Sequence, residues 1–195
     1  MASDAFSFSR DERGFSLIEV VIAVGLLAVL SIGIAELFGM ATKANYQAKG
    51  QTSTALLAVE KMEQLRALGW GFDQGPNALG LPVSDLVTDL TVDPSAAGGL
   101  GLNPSPGGTL DNNVAGYVDY LDRNGQWVGN GANPPRAAVY VRRWSVDPLP
   151  TNPNNTLVLR VRCTTIDHLA RVTAPETMRT GDDTWLVGVK TRKSQ

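Results

Sequence analysis

Between Val20 and Ala35 the chain reads VVIAVGLLAVLSIGIA, sixteen residues in which Ser31 is the only conspicuously polar side chain and none is charged. Extending this block to Phe15 and Met40 gives 26 residues interrupted only by Glu19 and Glu36, more than the roughly 20 that a helix needs to cross a bilayer. Beyond Met40 the pattern becomes amphipathic. Leu56, Val59, Met62, Leu65 and Leu68 recur every third residue among Glu60, Lys61, Glu63, Gln64 and Arg66, so these apolar side chains are expected to face a core. Gly69-Trp70-Gly71 supplies a stop. The pattern therefore predicts one helix from Phe15 to Leu68, 54 residues and about 80 Å long at 1.5 Å per residue.

From Gly69 to about Pro135 breakers dominate, with five Gly and two Pro in Gly98–Gly108 alone, and long loops are expected. All seven charges from Asp73 to Asp122 are negative, which reads as an exposed acidic arm. The glycines lack the spacing of a phosphate-binding loop. Strand patterns follow. Tyr117–Leu121 and Gln126–Val128 flank Asp122-Arg123-Asn124-Gly125, whose Asn-Gly is the strongest short hairpin signal. Ala138–Val146 and Thr156–Thr164 flank the Pro/Asn-rich loop Asp147–Asn155, and Thr184–Lys190 closes a small antiparallel sheet. In the Thr156–Thr164 strand, alternation sets Leu157, Leu159, Val161 and Cys163 on one face and Arg160 and Arg162 on the other, making Cys163 a buried free thiol.

Composition narrows the chemistry. With 43% hydrophobic and 18% charged residues the chain can build a core, and a net charge of −2 argues against a general polyanion trap. One cysteine and one histidine, His168, cannot supply a disulfide, a zinc cluster or a redundant Cys/His site. Asp119, Asp122 and Asn124 do not form an EF-hand loop. No catalytic residue, cofactor or metal site is expected. From Arg123 to Lys193 there are 11 basic against 5 acidic residues, and Arg142, Arg143, Arg160 and Arg162 are placed on one sheet face, where a nucleic-acid contact competes with a plain solvated surface.

The apolar block admits three readings: a cleaved secretory signal, a plain anchor, or an anchor behind a processed leader. It is longer than the 7–15 residues of a signal sequence and runs without Pro until Pro76, which disfavours the first. Glu19 disfavours the second, since a carboxylate inside a span costs about 2.5–3.5 kcal/mol unless partnered. The run Arg13-Gly14-Phe15-Ser16-Leu17-Ile18-Glu19-Val20 resembles, nearly residue for residue, the processing site of type IV prepilins and of the pseudopilins of type II secretion. The resemblance implies a leader over residues 1–14, a cut between Gly14 and Phe15 by prepilin peptidase, N-methylation of Phe15 by the same enzyme, and an assembly role for Glu19. It further implies a transmembrane and filament-core helix over 15–40, an amphipathic continuation over 41–68 and a periplasmic or extracellular domain over 69–195. The fold expected is α+β and pilin-like, a long N-terminal helix against a small antiparallel sheet.

Residue chemistry agrees with the resemblance. A cut before Phe15 creates a positive amine in the apolar layer one helical turn from Glu19, and a neighbouring subunit can pair the two charges. Arg10 and Arg13 precede the span and the next basic residue is Lys43, which places the N-terminus in the cytoplasm. Where many major pilins have a helix proline, this chain has Glu36 between Gly33 and Gly39, read as an interfacial carboxylate. The strand run RRWSV…LVLRVR is similar to PilV-like minor pilins and I-type pseudopilins. The function implied is a non-enzymatic filament subunit, a minor pilin of a type IV pilus. Its partners would be other pilin subunits, prepilin peptidase/N-methyltransferase, the inner-membrane assembly platform and the inner membrane itself. The alternatives are a type II secretion pseudopilin and a DNA- or ligand-binding tip pilin.

Overall fold

A computed structural model describes residues 14–85, 99–167 and 183–192. The chain is a mixed α+β protein that divides into two compact units, Met1–Asn45 and Tyr46–Gln195. A long helix, α1 (Leu17–Ala67), begins in the first unit and ends in the second. Among the described residues seven strands follow: β1 (Trp70–Phe72), β2 (Pro82–Ser84), β3 (Val118–Leu121), β4 (Trp127–Asn130), β5 (Tyr140–Pro148), β6 (Thr156–Thr165) and β7 (Thr184–Thr191). β1 and β2 form a small antiparallel pair, and the other five form an antiparallel sheet in the order β4-β3-β5-β6-β7. This is consistent with a pilin-like fold.

The expected strands are present with shifted ends, and β1–β2 is an addition in a stretch expected to be loop. Its strands are three residues long, too short for alternation to register. The Asn-Gly hairpin forms as its chemistry demands. The Asp122 carboxylate accepts the amides of Asn124 (2.7 Å) and Gln126 (2.9 Å), and Gly125 takes φ 79°, a conformation a side chain disfavours.

In the second unit the helix packs on one sheet face. The core joins Leu57, Ala58, Met62, Leu65 and Leu68 to Trp144, Val146, Leu157, Leu159, Val161 and Cys163, each large side chain contributing about 1.5–3 kcal/mol by burial. β7 lies close to the helix at Gly188, where a Cβ would meet Met62 Sδ at 3.0 Å and an Arg66 nitrogen at 3.1 Å, so these two flexible side chains would have to shift to admit one. A smaller cluster of Val118, Tyr120 and Val141 fills the opposite sheet face beneath Val128, Ala138 and Ile166.

The helix stripe differs from its expectation. Leu56 is 68% exposed and Val59 45% exposed, whereas Thr54, Leu57, Ala58 and Lys61 are buried. Residues three apart are 300° apart on a helix, so a strict three-residue repeat drifts off any face. Steps of three, four, four and three keep Thr54, Leu57, Lys61, Leu65 and Leu68 together.

The exposed acidic arm is also corrected. Of its carboxylates, Asp119 is fully buried and Asp111 pairs with Arg162 at 2.8 Å. Leu102, Thr109 and Leu110 are buried as well, so this stretch packs over the sheet. Asp89 and Asp93 lie outside the described residues. At the centre of the helix face Arg142 Nε and NH2 donate to the two Asp119 oxygens, 2.8 Å each. Lys61 Nζ lies 3.2 Å from Asp119 Oδ2 and 4.0 Å from the Trp144 ring centroid. Glu60, half-exposed, approaches Arg142 at 3.6 Å. Desolvation pushes the Asp119 carboxyl up, but the charges of Lys61 and Arg142 and their hydrogen bonds outweigh it, and the net shift is downward.

Candidate functional site

Gly14 and Phe15 precede α1, and Ser16 caps it. The Ser16 carbonyl accepts the amides of Glu19 (3.0 Å) and Val20 (3.2 Å), which closes the first turn and sets Glu19 within it. A carboxylate in that position interacts favourably with the helix dipole, by about 0.3–1 kcal/mol at an exposed site. Gly14 has no positive φ, and a Cβ built on it meets nothing within 4 Å. The fold therefore does not require glycine here; any requirement comes from something that reads the chain from outside. Arg10 and Arg13 and the rest of the expected leader up to residue 13 lie outside the described residues, as does His168.

From Phe15 through Met40 every large apolar side chain is exposed, Phe15 and Leu17 at 83%, and the most apolar window of the helix has mean hydropathy 2.7 with none of it buried. An uncovered surface of this kind needs hydrocarbon or other apolar helices around it. Glu19 and Glu36 stand 17 residues apart on the helix, about 25 Å at 1.5 Å per residue. That is close to the thickness of a hydrocarbon core.

A family model described as the prokaryotic N-terminal methylation motif matches residues 9–35. The match supports a place among the type IV prepilins and pseudopilins. The match runs into the first half of α1 and includes Gly14, Phe15 and Glu19. No curated protein and no solved structure matches the chain. The motif's family is structural rather than enzymatic, and the motif implies in general terms assembly with other pilins and handling by prepilin peptidase.

The four arginines expected on one face of the sheet do not share it. Arg142 is on the helix side, 1% exposed, opposite Cys163 in register. Arg143, Arg160 and Arg162 point to the other side, because adjacent strand residues alternate. Arg143 is 5% exposed and donates to Asn113 Oδ1 (2.9 and 2.7 Å) and the Asp111 carbonyl (2.9 Å). Arg162 is held by Asp111 at 2.8 Å and Asp183 at 3.0 Å. These side chains hold loops down instead of presenting a basic track, which removes the observation that had favoured nucleic acid. Cys163 is free and fully buried, and burial raises its thiol pKa well above the ordinary range.

The charged cluster of Lys61, Asp119 and Arg142 went unread in the sequence although a signal was there. Alternation sets Asp119 with Tyr117 and Leu121, and Arg142 with Tyr140, Trp144 and Val146. Two charges on apolar faces are a demand for each other.

Proposed function

We propose that this chain is a minor pilin, of the PilV-like kind, incorporated into a type IV pilus or a related filament through its N-terminal helix. Prepilin peptidase would cut between Gly14 and Phe15 and methylate the new amine. The subunit would wait in the inner membrane with its N-terminus in the cytoplasm and its globular unit outside. Glu19 would then receive the Phe15 ammonium of an incoming neighbour, so that two charges costly in hydrocarbon neutralise each other only in register. The observation that carries this reading is the Arg13–Glu19 run ahead of a helix whose apolar surface is uncovered on all sides.

N-terminal mass spectrometry of the protein from its native membrane tests it. The expected species begins at N-methylated Phe15, and exchange of Gly14 for a bulky residue leaves the full-length chain in the membrane. A mature protein starting at Met1, or one cut after Ala35 or Ala41, would refute the reading.

A further inference from the structure

On the sheet face opposite the helix a groove of about 400 Å³ lies between the Pro106–Asp111 loop and the strands, with Ser145, Asp147, Arg160 and Trp185 along it. That volume falls within the usual range for a small-molecule site. Its rim is anchored at both ends. Ser105 N donates to the Val146 carbonyl (2.9 Å) and Val146 N to Ser105 Oγ (3.1 Å), while Arg143 and Arg162 donate to the carbonyls of Leu110 and Asp111. A rim fixed before a ligand arrives costs little ordering on binding.

On the strands, Arg160 NH2 donates to Asp147 Oδ2 (2.8 Å), which also accepts Ser145 Oγ (2.7 Å). The two charged side chains are 44% and 36% exposed, so guanidinium donors and carboxylate lone pairs face the groove side by side. Their charges are matched to one another, and Asp111 is matched by Arg162. Trp185 contributes an aromatic wall, with the Arg162 guanidinium 4.7 Å from its ring centroid.

We propose that this groove binds a saccharide. A pyranose carries adjacent hydroxyls that each donate and accept, which suits a paired donor and acceptor, and C–H surface that packs on an indole. A phosphate or carboxylate ligand would meet Asp147 and Asp111, and an ammonium would meet Arg160. The proposal uses residues of the globular unit only and does not depend on the filament reading.

The test is titration of the full-length protein, in an amine-oxide detergent because maltoside headgroups are themselves sugars, with glucose, galactose, N-acetylglucosamine and lactose. Calorimetry is expected to show saturable binding of at least one with Kd about 0.1–10 mM. Arg160→Lys, which keeps the charge beside Asp147 but loses the planar fork, should weaken it about tenfold or more at unchanged thermal midpoint, and Trp185→Phe should weaken it as much while also giving up the indole N–H donated to Asp183. Absence of saturable binding by every sugar up to about 50 mM overturns the proposal. So does sugar binding insensitive to Arg160→Lys and Asp147→Asn. Binding of inorganic phosphate or N-acetylglycinamide at this groove in place of the sugars overturns it as well.

Discussion

Replacing Asp119 by alanine would remove the carboxylate that contacts both Lys61 and Arg142, leaving two cations, each 1% exposed, without the anion between them. What stays near Arg142 is the Leu57 carbonyl at 3.4 Å and the half-exposed Glu60 at 3.6 Å. Breaking a buried charge pair in this way costs about 3–5 kcal/mol, and for a unit of this size that lowers the melting temperature by roughly 6–20 °C. Lys61→Met is the contrasting change. It removes one cation, keeps the bidentate Arg142–Asp119 pair and sets a thioether against Trp144, so its expected cost is within about 1 kcal/mol. Urea and thermal unfolding of the Tyr46–Gln195 fragment, followed by circular dichroism, compare the two. The direction of the Asp119 shift fixes the pH dependence. A carboxyl whose native pKa is depressed lends stability that is complete above its unfolded value, near 4, and is lost as pH falls through the lower native value. Asp119→Ala should flatten that acid limb. An Asp119→Ala protein within 1 kcal/mol of wild type, or a Lys61→Met protein as unstable as it, would refute the argument.

Glu19→Ala and Glu19→Gln are expected to leave the cut before Phe15 intact but to lower recovery of the subunit in sheared filaments about a hundredfold, the equivalent of roughly 2.7 kcal/mol; wild-type recovery would reduce Glu19 to an interfacial carboxylate. Cys163 should react with a thiol reagent in native protein orders of magnitude more slowly than after unfolding, because its sulfur is buried and held protonated; equal rates at pH 8 would place the thiol at the surface.

The parts legible in the sequence are those where one local pattern decides the outcome. Sixteen uncharged residues announce the apolar half of α1, Asn124-Gly125 announces its hairpin, and alternation in Leu157–Cys163 assigns both faces of β6. The motif at Gly14, Phe15 and Glu19 is equally plain because it is a contiguous run of residues, with no tertiary context needed. What was not legible depends on two segments at once. Leu56 looks as apolar as Leu57, and only the position of the sheet decides which is covered. Lys61 is buried because Asp119, 58 residues later, and Trp144 receive it, and a lysine in a helix otherwise reads as solvated. The acidic arm failed for the same reason: loop carboxylates count as exposed until the arginines that fold them in are placed.

The bare apolar surface of α1 bears on how such a subunit travels. Sixteen large apolar side chains between Phe15 and Met40 are at least half exposed in the isolated chain, and at about 1.5–3 kcal/mol for each one fully wetted, moving the segment through water would cost tens of kcal/mol. No encounter with an aqueous intermediate is compatible with that barrier on a cellular timescale. In the filament role proposed above, the helix would slide sideways from one greasy neighbour to the next, each lipid contact given up only as a protein contact replaced it. In that role, removal of a subunit would run the same lateral route in reverse, so whatever took this chain out of an assembly would have to sit in the membrane beside it.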